Sequence, residues 1–216
     1  MSGDAIVGQA EHFHVIALPA PLQGIYRRMG YREGRTALDP ARRRATDSAA
    51  AEAAALIALK GAMRRLGVYE RSEDGVVLET GDRLHGVKVS RFLQDCDEVL
   101  LMGATAGRAV IEEAERLAAE GHMDRAVVYD AAASEMVDGA LDWIMSCCGR
   151  FLLREGRILL EKRYSAGYGD FAIDHQPMFH RLLDFGSLGV TVTESFMLAP
   201  EKSVTALTGI LPGMRG

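Results

Sequence analysis

The chain has 216 residues, 48% of them hydrophobic and 25% charged, with a formal net charge of −5 and a pI near 5.7. That size and composition give one globular domain, or one with a short appendage, and enough apolar residues to build a core. The acidic balance argues against nucleic-acid binding through a basic surface, and no run approaches the ~18 apolar residues that span a bilayer. The N-terminus Met-Ser-Gly-Asp carries no secretory pattern, and three cysteines, Cys96, Cys147 and Cys148, are too few for a disulfide framework, so a cytoplasmic protein is expected.

In chain order, residues 1–10 read as a flexible tail and His12 to Leu18 as a short strand or extended arm broken by Pro19 and Pro21. Ile25 to Tyr31 has one or two helical turns ending at Gly30. Asp39-Pro40 then supplies an N-cap acceptor followed by a proline at the first helical position. The alanine-rich run behind it predicts a helix as far as Leu66, with Leu56, Leu59, Met63 and Leu66 on one face and Gly67 as its end. Arg42, Arg43 and Arg44 fall in its first turns, where the helix dipole disfavours positive charge; a solvated basic face is the expectation.

Val68-Tyr69 and Val76 to Leu78 are short extended runs around the turn-like Ser72 to Gly75, and Val89 to Cys96 is a short helix. Val99-Leu100-Leu101-Met102 is continuously apolar, the pattern of a strand buried on both faces, so Glu98 to Ala104 is the clearest strand. Thr105 is placed as the cap of a helix through Leu117 with Gly121 past its end. Gly103 to Gly107 lacks both the three-glycine dinucleotide fingerprint and a phosphate-loop lysine, and reads as a tight strand-to-helix junction.

His122 to Arg154 is one long helix whose apolar stripe runs Met136, Ala140, Trp143, Cys147, Phe151. Vicinal Cys147 and Cys148 point apart on a helix and cannot clamp a metal, so they read as core and near-core residues. Asp138 and Asp142, four apart, form either a solvated acidic face or a pair of carboxylates offered to a cation from a helix wall. Gln176 to Phe185 is a short helix; Val190 to Thr193 and Val204 to Leu211 are strands. Irregular alternation of helices with several strands predicts an α+β fold, a mixed, largely antiparallel twisted sheet flanked by helices.

The stretch from Glu161 to Phe179 is the densest in chemistry-bearing residues. It carries Arg163, Tyr164, Tyr168, Asp170, Asp174 and His175, with Gly167 and Gly169 positioned for positive φ or for close approach of a ligand. His175 and His180 lack a third ligand at convincing spacing, so a polar rim is expected there, not a metal site.

Two segments resemble a known family. Arg163-Tyr-Ser-Ala-Gly167-Tyr168 resembles the Arg-Pro-x-Pro-Gly-Tyr signature of the activation domain of cobalamin-dependent methionine synthase. Thr193-Glu194-Ser195-Phe196-Met197, with Pro200 and Ser203-Val204 behind it, resembles that family's Leu-Thr-Glu-Ser-x-Ala-Met-x-Pro-x-x-Ser-Val segment, in the same order and at the same spacing. The resemblance is strongest over 87–210, within a single domain expected over 11–216. Tyr164 and Ala166 stand where the family has prolines, and Arg157 where it has an acid.

The resemblance implies a stand-alone S-adenosylmethionine-binding module that supports reductive methylation of cob(II)alamin on a separate cobalamin-carrying methyltransferase such as methionine synthase, with a flavodoxin-type electron donor. It implies ligand contacts from Arg163 (carboxylate), Ser165 and Gly167 (adenine or ribose edges), Tyr168 (adenosyl or sulfonium), Asp138 (the cationic end) and Glu194, and no catalytic base, because the reduced corrinoid is itself the nucleophile. A docking module for a corrinoid protein that has lost S-adenosylmethionine binding is the alternative. A Rossmann-type methyltransferase would need a glycine-rich loop that Gly103 to Gly107 does not supply.

Overall fold

The computed structural model describes residues 8–32, 35–36 and 39–213. Most of the expected N-terminal tail, residues 1–7, lies outside the described residues. The scaffold is an antiparallel sheet in the order β4-β3-β2-β5-β9-β6, with β1 also paired to β2. Its strands are β1 (Glu11–Phe13), β2 (Lys60–Ser72), β3 (Gly75–Leu78), β4 (Arg83–His85), β5 (Glu98–Thr105), β6 (Ile158–Leu159) and β9 (Ser203–Leu211). A separate ribbon pairs β7 (Thr191–Val192) with β8 (Leu198–Ala199). The helices are α1 (Leu22–Arg28), α2 (Pro40–Leu56), α3 (Val87–Phe92), α4 (Ala109–Ala119), α5 (Met123–Arg154) and α6 (Gln176–Leu182). The expected α+β sheet flanked by helices is present, and every strand pair among the described residues is antiparallel.

The sheet divides the interior in two. One core joins α1, α2, α4 and α5 to Met63, Leu100, Met102, Ala206 and Ile210. The other joins α3, α6 and the 166–171 loop to Ala62, Leu66, Val99, Leu101 and Leu207. Successive residues of β5 alternate between these cores because strand side chains alternate faces, which is why Val99 to Met102 is apolar without interruption.

The helix expected from Asp39 to Leu66 stops at Leu56, and its second half is the central strand β2. Asp39 does cap it, its carboxylate accepting from the Ala41 amide, and Arg42, Arg43 and Arg44 are exposed. Met63 and Leu66 lie on opposite faces of the sheet, each fully buried. Their spacing imitates a helix, but Lys60 to Gly67 pairs residue by residue with β5, and that ladder overrides the weak helical preference of the segment.

Thr105 ends β5 instead of capping α4. Its hydroxyl accepts from the Gly107 amide at 3.2 Å and from Ser203 Oγ at 2.8 Å, and α4 begins four residues later behind Gly107 at φ +80°. Within α5 the apolar stripe is rotated from the one expected: Cys148 is deeper than Cys147, and Phe151 is exposed. Ile144, Cys148 and Leu152, spaced by four, form the inward line.

Burial pushes the Cys96 thiol up to about 11 and the Cys148 thiol up to about 12, so neither is a thiolate at neutral pH. The native protein is expected to leave both unmodified by a thiol-specific disulfide reagent for as long as it stays folded, and to release them on unfolding. Rapid native labelling of Cys148, read by peptide mass, would contradict this burial.

Candidate functional site

The segment after β6 runs along the outer edge of β9, where the two layers of the molecule meet. The Leu160 amide donates to the Gly209 carbonyl at 2.9 Å, and Thr208 Oγ1 lies 2.7 Å from the Lys162 carbonyl. Tyr164 exchanges both backbone hydrogen bonds with Leu207, at 2.9 and 2.7 Å, and its ring packs on Phe92 with centroids 5.3 Å apart. A proline at 164 could not donate the first of these bonds. The rigidity that the two prolines would give the loop comes here from the Tyr164 bridge and from buried Ala166.

Beyond Ala166 the chain turns back on itself. Gly167 takes φ +95° and Gly169 φ +64°, a left-handed geometry that side chains other than glycine adopt at a cost. The Gly167 amide donates to the Phe171 carbonyl at 2.8 Å, and the Phe171 amide donates to Tyr168 at 3.1 Å. Phe171 is fully buried, which anchors the turn and leaves Tyr168 standing out at 71% exposure. Asp170 locks the turn to α3, its carboxylate accepting the Lys88 amide at 2.9 Å.

A cleft of about 390 Å³ opens over this turn, lined by Lys88, Arg163, Tyr164, Ser165, Tyr168 and Gly169. Arg163 also lines a second cleft of about 740 Å³ between α1 and α5, together with Asp138 and Asp142. Its guanidinium is ion-paired with Asp142 through Nη1, and Nη2 lies 3.8 Å from Asp138. The two aspartates share one face of α5 because they are four residues apart, and Arg163 reaches them across the edge of the sheet.

Of the residues expected at a site, Arg163, Ser165 and Tyr168 therefore converge on one cleft, and Asp138 joins them through Arg163. Gly167 shapes the turn beneath. Glu194 lines neither cleft. It is exposed on a self-contained turn in which the Thr193 amide donates to Met197 at 2.8 Å and Thr193 Oγ1 accepts the Met197 amide at 3.0 Å.

Sequence reasoning missed Lys88, Arg27, Arg28 and Glu135, all of which line these clefts. Glu135 was legible in principle, since it precedes Asp138 by one helical turn. The arginines were not, because only the fold brings α1 onto α5.

His175 is not on a polar rim. It is buried, its Nε2 accepts the His85 amide at 3.0 Å, and its Nδ1 donates to the Ala172 carbonyl at 2.9 Å. Two backbone partners fix the neutral Nδ1–H tautomer and leave no ring nitrogen for a metal. His175→Leu is expected to cost about 2 kcal/mol in urea unfolding, because it strands an amide and a carbonyl; an unchanged midpoint would show that water replaces the ring.

A scan against protein-family models finds none that matches this chain, and a search of curated proteins finds no match. Among solved structures, the chain is similar to a MetH reactivation domain bound to AdoHcy, with a TM-score of 0.70 at 14% sequence identity, over 98% of this chain and 81% of that one. The fold of this protein is the fold of the MetH reactivation domain.

Proposed function

We propose that the protein binds S-adenosylmethionine across the two clefts that meet at Arg163 and presents its methyl group to a cobalamin carried by a separate methyltransferase, restoring methylcobalamin from cob(II)alamin. The observation that carries this reading is the convergence of Arg163, Ser165 and Tyr168 in one cleft with Asp138 beyond Arg163, on a fold shared with a domain bound to AdoHcy. Volumes of 390 and 740 Å³ lie within the range of small-molecule sites.

In this arrangement Tyr168 and the backbone at Ser165 and Gly167 receive the adenosyl half. The exposed Tyr168 ring is placed to meet a base face or the sulfonium. Asp138 receives the cationic amino group, and Arg163 holds Asp138 and Asp142 in place on α5. S-Adenosylmethionine would supply the methyl group and the partner's reduced corrinoid the nucleophile, so the work of this chain is positioning, and no general base is needed. One electron per event has to come from an external donor, for which a flavodoxin-type protein has suitable chemistry.

Isothermal titration with S-adenosylmethionine tests the reading: saturable binding that weakens with Tyr168→Ala supports it, and no heat at millimolar ligand overturns it. A second reading, a docking module for a corrinoid protein without ligand binding, is favoured by the ion pairs that already engage Arg163 and Asp138. It requires capture of the cobalamin-loaded partner by a chain that gives no heat with S-adenosylmethionine.

A further inference from the structure

α4 and the start of α5 form a helical hairpin. The chain reverses at Gly121, φ +86°, where the His122 amide donates to the Leu117 carbonyl at 2.8 Å and the Gly121 amide to the Ala118 carbonyl at 3.1 Å. That double closure ends α4 and folds it back on the first turns of α5, with glycine supplying the left-handed residue. A groove of about 250 Å³ runs between the two helices. Ile111, Ala114 and Ala118 line it from α4, and Met123, Ala126 and Val127 from α5, in each case one face at helical spacing. Alanine on both walls leaves the space that a longer side chain would fill.

The groove shares no lining residue with the two clefts that meet at Arg163. Its lip is apolar and open to water: Met123 is 58% and Val127 45% exposed, four residues apart and so on one ridge of α5. Its rim is charged. Lys202 Nζ lies 2.6 Å from Asp130 and 3.7 Å from Glu201, and the lysine side chain is largely covered. Glu115 stands exposed on the α4 wall. With the lysine committed to Asp130, the rim offers an incoming group the carboxylates of Glu115 and Glu201.

Shape and charge together select the occupant. Ile111 to Ala118 is two helical turns, about 10 Å along the axis, the span of side chains at i, i+4 and i+7 on a facing helix. An extended peptide fits poorly, because helix walls present side chains and leave its backbone amides without partners. The negative rim favours lysine or arginine beside the apolar stripe, and the net charge of −5 disfavours a second copy of this chain. We infer that the α4–α5 groove docks a basic amphipathic helix of a partner protein, its apolar stripe on Ala114, Ala118, Met123 and Val127 and its cations on Glu115 and Glu201. The surface stands independently of the methyl-donor reading.

The test is titration of the full chain, ¹³C-labelled at methionine and valine methyls, with three peptides of about 18 residues, long enough to be helical alone. The first carries leucines at i, i+4 and i+7 with lysines on its other face, the second has glutamate for every lysine, and the third is a scramble of the first. The basic helix is expected to shift the Met123 and Val127 methyl signals saturably, and the other two to bind about tenfold or more weakly. Glu115→Lys and Glu201→Lys combined should weaken the basic helix about tenfold at unchanged melting temperature and strengthen the acidic one. Val127→Ser, at a half-exposed position, should weaken it about fivefold. Three peptides acting alike, no saturable shift at Met123 and Val127, or full affinity after both charge reversals would each overturn the assignment. So would a dimer of the free chain in sedimentation velocity that Val127→Ser dissociates, since the groove would then belong to a second copy.

Discussion

Arg65→Ala is expected to destabilise the protein by about 3 kcal/mol at neutral pH, the largest loss of any single charged side chain here. Arg65 is 3% exposed on β2, beneath the C-terminus of α5. It donates from Nε to Glu98 at 2.8 Å and from Nη1 and Nη2 to the two oxygens of Glu155 at 2.9 Å each. Burial works against its charge, but the hydrogen bonds to Glu155 and Glu98 outweigh that and hold the guanidinium protonated more firmly than usual. Removal opens a void under α5 and strips Glu155, which closes that helix, of its fork partner. The loss stays near the low end for a buried pair because Glu98 keeps Arg157 at 2.8 Å and Glu155 is partly solvated.

The effect carries a pH signature. The Arg65 hydrogen bond holds the Glu155 carboxyl below its ordinary value. A carboxyl depressed on folding adds stability that is complete above its unfolded value, about 4.3, and disappears as pH falls through the folded one. Urea midpoints of wild type and Arg65→Ala should therefore differ most at pH 6–8 and draw together below about pH 4. A gap that is constant with pH would assign the cost to packing alone.

On the proposed S-adenosylmethionine reading, Arg163→Ala is expected to weaken that ligand about thirtyfold or more while changing stability by less than about 1 kcal/mol. The small stability term follows from its setting: the partners Asp138 and Asp142 are solvent-exposed, and such pairs contribute little. The binding term follows from position. Arg163 lines both clefts and is the residue through which the turn at Tyr168 and the wall of α5 are held in register. Its loss leaves Asp138 and Asp142 as neighbouring anions without the cation between them. Arg163→Lys should recover part of the affinity, since a point charge still separates the aspartates but cannot bridge them as a fork. Equal affinity of Arg163→Ala and wild type by titration calorimetry would place the ligand elsewhere.

The local pattern of the sequence was enough for β5, for the length of α5 and for the turn at Gly167 and Gly169. Each is dictated by a period or by a residue with one conformational use: four consecutive apolar residues for a strand covered on both faces, a long helical stripe, and glycines where φ is positive. The same local evidence misread residues 57–66, where the alanine-rich run just upstream and a 3–4–3 spacing of apolar residues from Leu56 to Leu66 simulate a continuing helix. Only pairing with β5, distant in sequence, decides that segment.

The site divides in the same way. The residue types of the Arg163 to Tyr168 loop were legible, as was the shared face of Asp138 and Asp142, because both lie within single stretches of chain. Tertiary structure decided the rest. It placed the loop on the edge of β9 so that Arg163 meets α5, set Glu194 on a separate turn, and buried His175 against two backbone partners. It also laid α1 on Glu135, completing a row of alternating charge from three segments that no sequence window contains. The physical reason is range: hydrophobic period and backbone preference act over a few residues, whereas charge pairing across a cleft exists only once the sheet has brought distant segments within hydrogen-bond reach.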